Sequence, residues 1–339
     1  MIDPGERVPL GRSCLSVSRL GFGSAPLGGL FRATSGADAR AAVDAAWSAG
    51  LRYFDTAPQY GSGLAEHRLG AALRGRARDA YVLSSKVGKL LRDAGTGIAP
   101  SVLFKEALHR DVVFDYSYDG TMRSLAESLE RLGLSRIDVL LIHDVNRKYH
   151  GDQVHARLDE ALAGSCRALA RLRDERVIGA FGPALNEVDI ALRFVAEADV
   201  DCVMLPARYT LLDQSAASEL LPACAAREVG VLIAAPFDSG ILATGARPDA
   251  FYNYAPASAG VLDQVARLEA FCARFDVPLA AVALQFPLRH PAVASVVTGM
   301  RSAREVDANI SLIRTRLPGE LWGELQRSGL VGPAARVLD

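Results

Sequence analysis

The stretch LRYFDTAPQYG, residues 51–61, carries an apolar run straight into an acid and then, five residues later, a tyrosine. Leu51, Tyr53 and Phe54 suit a buried strand, whereas Thr56, Ala57, Pro58, Gln59 and Gly61 form loops. Asp55 and Tyr60 are therefore expected where a strand opens into solvent. Taken alone, the stretch fits equally well an Asp55 that caps the next helix and a Tyr60 that merely packs.

The rest of the chain decides between these. Short apolar, β-branched runs recur at residues 19–23, 51–55, 81–85, 137–143, 177–181, 202–205, 231–235 and 294–298, the pattern of eight strands buried on both faces. Between them lie segments with apolar residues at helical spacing, such as AAVDAAWSAG, GTMRSLAESLERLG, DEALAGSCRALARLRDE and SAREVDANISLI. Eight alternating pairs predict a (β/α)8 TIM barrel, one domain over residues 1–339, with its active site at the C-terminal ends of the strands. GFGSAPLGG at 21–29 is no dinucleotide fingerprint, because Pro26 stands where the third glycine belongs and no helix follows at once. Two long connections, 87–119 and 240–260, depart from the βα rhythm and are expected as functional loops on the C-terminal face.

Composition excludes several function classes. With 339 residues, 50% hydrophobic, 23% charged and a formal net charge of −1, the chain has no broad positive field for nucleic acid or an anionic membrane. Cys14, Cys166, Cys202, Cys224 and Cys272 are odd in number and lack any CxxC spacing, against both a disulfide framework and a zinc site. The start MIDPGERVPL lacks a basic region followed by an apolar one and no apolar run is long enough to span a bilayer, so a cytoplasmic location is expected. His67, His109, His150, His155 and His290 show no coupled ligand spacing, so no metal is expected, and no GxSxG nucleophile elbow occurs.

Polar residues at the ends of the predicted strands converge on one mouth: Asp55 and Tyr60 after strand two, Lys86 in LSSKVGK after strand three, and His143 in VLLIHD after strand four. In this order the four resemble the catalytic tetrad of the aldo-keto reductase superfamily, and the resemblance covers nearly the whole chain. FDYSYDG, IHDV at 142–145, RYTLLDQ at 208–214, PFDSGILATG at 236–245 and YNYAPAS at 252–258 are similar to its sugar dehydrogenases, the L-fucose, L-galactose and D-threo-aldose 1-dehydrogenases, with pyridoxal 4-dehydrogenase a near relative.

The tetrad has a physical logic of its own. A tyrosine titrating near pH 10 accepts protons poorly at neutrality, and an adjacent ammonium is expected to lower that value. Lys86 would supply the charge, Asp55 would hold and balance it, and Tyr60 would act as general base in oxidation and general acid in reduction. His143 would hydrogen-bond the reacting oxygen while hydride moves to or from a nicotinamide.

For that cofactor the resemblance implies Gly299, Arg301, Ser302, Glu305 and Asn309 around a helix start after strand eight, and Ser239, Gly240 and Leu242 in the turn after strand seven. Asn186 would bind the amide. The family's strand-six glutamine and strand-seven aromatic are replaced by Pro206 and Ala235, so Phe237 or Tyr209 would supply the aromatic face. Glu305 favours NAD over NADP, while Arg301 and Arg304 keep NADP open. The implied reaction is oxidation of an aldose such as L-fucose, L-galactose or D-arabinose to a lactone. Pyridoxal, another aldehyde or ketone, and a nicotinamide-binding regulatory role are the alternatives. Tyr116, Tyr118, Tyr149, Tyr252 and Tyr254 are candidate sugar platforms, and the protein is expected as a monomer or homodimer.

Overall fold

The computed structural model describes residues 1–335. Its centre is a closed barrel of eight strands: β1 (Leu20–Gly23), β2 (Tyr53–Asp55), β3 (Val82–Val87), β4 (Val139–His143), β5 (Ala180–Ala184), β6 (Cys202–Pro206), β7 (Gly230–Ala234) and β8 (Val293–Gly299). Each strand pairs in parallel with the next and β8 returns to β1, with helices between them, so the expected (β/α)8 barrel is the fold observed.

Period-two alternation divides the strand side chains between two cores. Tyr53, Val82, Val139, Leu141, Ala180, Cys202, Met204 and Leu232 fill the barrel interior. Phe22, Phe54, Leu83, Leu140, Ile142, Phe181 and Ile233 pack outward against the helices. A hairpin of Arg7–Pro9 and Ser16–Ser18 plugs the N-terminal end with Leu10 and Val17. Helix starts are fixed by serine caps: Ser35 accepts from the Asp38 N–H at 3.0 Å and Ser302 from the Glu305 N–H at 3.3 Å.

The run expected at 177–181 lies three residues too early. Ser, Gly and Pro usually break strands, yet β5 is AFGPA, and Pro183 stands opposite Ile142 in register. Residues 177–179 lead into it instead, with the Gly179 and Ala180 N–H groups both donating to the Asp138 carbonyl, at 2.8 and 3.2 Å. Gly182 faces inward in this strand, where an added Cβ would lie 1.6 Å from the Cys202 carbonyl oxygen.

Both long connections lie over the C-terminal end of the barrel. After β3, Lys89–Asp93 pairs antiparallel with Arg110–Phe114, and the loop between them bridges from Phe104 to Leu30. After β7, Phe251–Tyr252 and Ala255–Pro256 form a small hairpin whose Phe251 and Tyr254 rings lie 5.9 and 6.2 Å from that of Phe31. No helix among the described residues is long and apolar enough to cross a membrane.

Because Gly182 leaves no room for a methyl group, Gly182→Ala is expected to cost more than about 3 kcal/mol of stability, read by denaturant unfolding. An unchanged midpoint would show that the β5–β6 contact relaxes freely.

Candidate active site

The alternation that packs Tyr53 and Leu141 into the barrel also turns Asp55, Lys86 and His143 inward at its top. Asp55 lies beside Ser84 in register and Lys86 beside Leu141. The Lys86 ammonium donates to both Asp55 oxygens at 2.9 Å and to the Thr56 carbonyl at 2.9 Å, using all three of its protons. Asp55 also accepts from Ser84 Oγ at 2.7 Å, and Ser84 is joined in turn to the Tyr53 hydroxyl at 3.0 Å. Lys86 and Asp55 are 2% and 3% exposed, so this ion pair lies inside the protein and every bond in it counts.

Tyr60 closes over the pair. Its ring centroid is 4.9 Å from Lys86 Nζ and 6.2 Å from the His143 ring, which meets it edge-on at 87°. Phe104 from the β3 loop stacks on its other side at 6.2 Å. All four residues expected at the mouth are thus brought together. The electrostatic expectation is corrected, however: burial, reinforced by the Asp55 and Asp144 carboxylates, pushes the Tyr60 phenol well above its ordinary value. The Lys86 charge beside the ring is balanced by Asp55, to which its ammonium donates, so the raising effects prevail at rest. Tyr60 is a neutral phenol, a proton donor at rest.

Burial, aided by the Lys89 and Lys86 ammoniums and opposed by Asp144, drives the His143 imidazole well below its usual range, so it is neutral. Its Nδ1 is buried with no hydrogen-bond partner among the described residues, which leaves Nε2 as the nitrogen facing the mouth. Tyr116, fully buried, donates its hydroxyl proton to the His143 carbonyl at 2.9 Å and lies 3.2 Å from the Asp144 carbonyl. It anchors the strand end and is no sugar platform. Tyr118 sits on an outer helix, bonded to Arg171, and Tyr252 is half-buried in the β7 hairpin. Tyr149 accepts from Gln59 Nε2 at 3.1 Å, and Tyr254 stacks on Phe31.

A cavity of about 90 Å³ opens beside these residues, lined by Leu30, Phe31, Asn186, Pro206, Ala207, Ala235, Ser239, Asn253 and Tyr254. Asn186 and Ser239, both expected to hold a nicotinamide, line this cavity, and Ala207 and Ala235 give its wall small side chains. Ser239 Oγ accepts from the Tyr254 N–H at 3.0 Å, and at Gly240 (φ 104°) a Cβ would meet nothing within 4 Å. Gly299 holds the chain tight against Pro26, and Ser302 begins the helix Ala303–Arg314, an N-terminus suited to phosphate. These parts fit a dinucleotide laid from the mouth across the β7 and β8 turns.

Two expectations on that path, for Tyr209 and Leu242, are corrected. Tyr209 is fully enclosed between Phe286 and His290, with centroids at 5.0 and 5.8 Å, so its ring offers no face to a nicotinamide. Leu242 is buried in the core and its N–H already donates to Phe237. Glu305 does not stand free: its carboxylate accepts from the Arg301 N–H at 2.9 Å and Nε at 3.0 Å. Asn309 is 7% exposed, 3.4 Å from Thr298 Oγ1, and Phe237 is half-buried. Phe31, Lys89 and Asp144 were not singled out by their sequence context: a lysine two residues after a glycine-punctuated strand, or an Asp after a His, carries no local mark of burial.

A family model described as "Aldo/keto reductase family" matches residues 19–329, and the chain belongs to that family of enzymes, which use nicotinamide cofactors on small-molecule substrates. It is 42% identical to pyridoxal 4-dehydrogenase of Microbacterium luteolum, over 97% of this chain and 99% of that protein. It is 41% identical to D-threo-aldose 1-dehydrogenase of Pseudomonas sp, over 94% and 95%. The solved holo form of aldo-keto reductase AKR11C1 from Bacillus halodurans superposes with a TM-score of 0.75 at 27% identity, over 98% of both chains.

The β7 turn carries a titrating group of its own. Asp238 is 2% exposed, accepts from Thr210 Oγ1 at 2.5 Å, and is pushed by burial to about 7 from 3.8. Its raised value means that the folded protein keeps a proton the unfolded chain has released, so stability is lost as pH rises from about 4 to about 7. Asp238→Asn is expected to flatten the thermal-stability profile across that window and to be the more stable form at pH 7. A profile unchanged by the substitution would contradict this.

Proposed function

We propose that this chain is an NAD-dependent aldose 1-dehydrogenase, carried by one barrel domain, that oxidises the anomeric carbon of an aldose to a lactone. The convergence of Asp55, Lys86, Tyr60 and His143 on one mouth carries the reading. The aldose dehydrogenase at 41% identity supports the substrate class, and a neutral hemiacetal needs no basic pocket.

When bound, an oxidised nicotinamide would supply the hydride acceptor and a positive charge. His143, neutral and with Nε2 outward, donates a hydrogen bond to the anomeric oxygen and orients it. Tyr60 takes the hydroxyl proton in oxidation and returns it in reduction. Since its phenol is held high, reduction starts from the resting proton state, and oxidation gains as pH rises. Lys86 stabilises the phenolate as it forms, and Asp55 keeps Lys86 in place. Asn186 and Ser239 would hold the nicotinamide, with Gly240, Gly299, Arg301, Ser302, Glu305 and Asn309 along the remainder of the dinucleotide. Glu305 keeps a carboxylate at the adenosine end even when paired with Arg301, which supports NAD. The five cysteines are free, which supports a reducing, cytoplasmic setting.

The relative at 42% identity supports a second reading, pyridoxal. Its aldehyde, next to a hydroxymethyl group, closes into a cyclic hemiacetal just as an aldose does, so the same proton and hydride transfers apply. The test is absorbance at 340 nm with L-fucose, L-galactose, D-arabinose and pyridoxal, each with NAD and NADP. Turnover of one aldose with NAD, rising with pH and reduced at least about 10³-fold in Tyr60→Phe with cofactor binding intact, is the expected result. Activity on pyridoxal alone would promote the second reading, and full activity in Tyr60→Phe would overturn the mechanism.

A further inference from the structure

Beside His143 lies a second buried ammonium that the tetrad does not use. Lys89 is 1% exposed, and its Nζ donates to Asp144 Oδ2 and to Gln59 Oε1. Aromatic rings enclose it, Nζ lying 4.4 Å from the centroid of Tyr149 and 5.3 Å from that of Phe114. A charge so placed needs a counter-charge, and Asp144 supplies it.

Asp144 is held with unusual care for a loop residue. It follows β4 at φ 55°, a conformation that glycine would adopt more readily. Its N–H donates to the Ala184 carbonyl at 3.0 Å, which continues the barrel ladder one residue beyond His143, and Tyr116 fixes the carbonyls on either side. Despite its burial, the Lys89 and Lys86 ammoniums help to hold the carboxyl below its ordinary value, so it is ionised. Oδ2 accepts the hydrogen bond from Lys89 and lies 3.5 Å from His143 Nε2. Oδ1 accepts no hydrogen bond among the described residues, and the side chain is 21% exposed. The Tyr254 phenol lies within electrostatic reach of both Tyr60 and Asp144.

We propose that Asp144 is a substrate-binding residue whose free Oδ1 accepts a hydrogen bond from a hydroxyl on the carbon next to the reacting one, and that Lys89 is its positioning residue. This rests on the reading of the mouth as a site for polyhydroxylated aldehydes and their hemiacetals. The distance of Asp144 from His143 Nε2 sets the logic: an oxygen bound at that nitrogen brings the neighbouring hydroxyl of the same molecule to the adjacent carboxylate. Lys89 is too deep to touch substrate and acts by keeping Asp144 charged and aimed, while Tyr149 and Tyr254 provide apolar faces for the substrate's C–H bonds.

The test compares reduction of glyceraldehyde and of propanal by the cofactor-loaded enzyme, two three-carbon aldehydes that differ only in hydroxyls. The wild-type protein is expected to favour glyceraldehyde in kcat/KM by at least about 10-fold. Asp144→Asn is expected to lower kcat/KM for glyceraldehyde about 10- to 100-fold, mainly through KM, while propanal changes less than about 3-fold. Lys89→Met should move the two substrates in the same unequal way, with thermal melting and cofactor binding showing both variants folded. Parallel loss on both aldehydes would mean that Asp144 serves His143 or the fold, and would overturn the proposal, as would a wild-type protein without preference for glyceraldehyde. Failure of every aldose to be oxidised, with the glyceraldehyde preference present and lost in Asp144→Asn, would reject the aldose reading and leave the Asp144 site standing.

Discussion

The ion pair between Lys86 and Asp55 is the interaction on which the mouth depends. Two opposite charges lie almost wholly out of water, and the arrangement persists because every proton on Nζ and the Asp55 oxygens are matched, by the carboxylate itself, by Thr56 and by Ser84. An incomplete set would leave a bare charge in the barrel. This completeness also means that Lys86 has no proton left for Tyr60, which explains why a lysine beside a tyrosine coexists with a raised phenol.

Barrel closure positions the pair. The register that sets Asp55 beside Ser84 and Lys86 beside Leu141 follows from strand pairing, and a one-residue slip would turn both charges outward among Phe54 and Leu83. Tyr53 and Leu141 below, and the N-terminal hairpin beneath them, fill the barrel so that the charged layer rests on a packed floor. The loops then add what strands cannot: Phe104 behind Tyr60, Tyr254 and Phe31 over the cavity.

Much of this was legible in the residues themselves. Seven of the eight runs match the strands to within two residues at either end because parallel strands, covered on both faces, must be continuously apolar. The exception, β5, hides behind Gly182 and Pro183, which local rules assign to turns, although the tight approach to Cys202 demands a glycine there. The tetrad was legible because strand ends in a barrel converge. Tyr209 was not, since whether an aromatic faces a cavity or Phe286 depends on the packing of distant helices. Nor was the Arg301–Glu305 pairing, nor Lys89: a lysine in a sequence looks the same whether solvated or enclosed by tyrosines.

If the Asp55–Lys86 pair acts as one unit, removing either partner does the damage of removing both. A double-mutant cycle of Asp55→Asn and Lys86→Met on kcat/KM, with cofactor affinity measured alongside, tests this most directly. Each single variant is expected to lose at least about 10³-fold and the double variant scarcely more. Losses that multiply, so that the double variant falls by the product of the two, would show that Asp55 and Lys86 act independently and that the pair is not what organises the mouth.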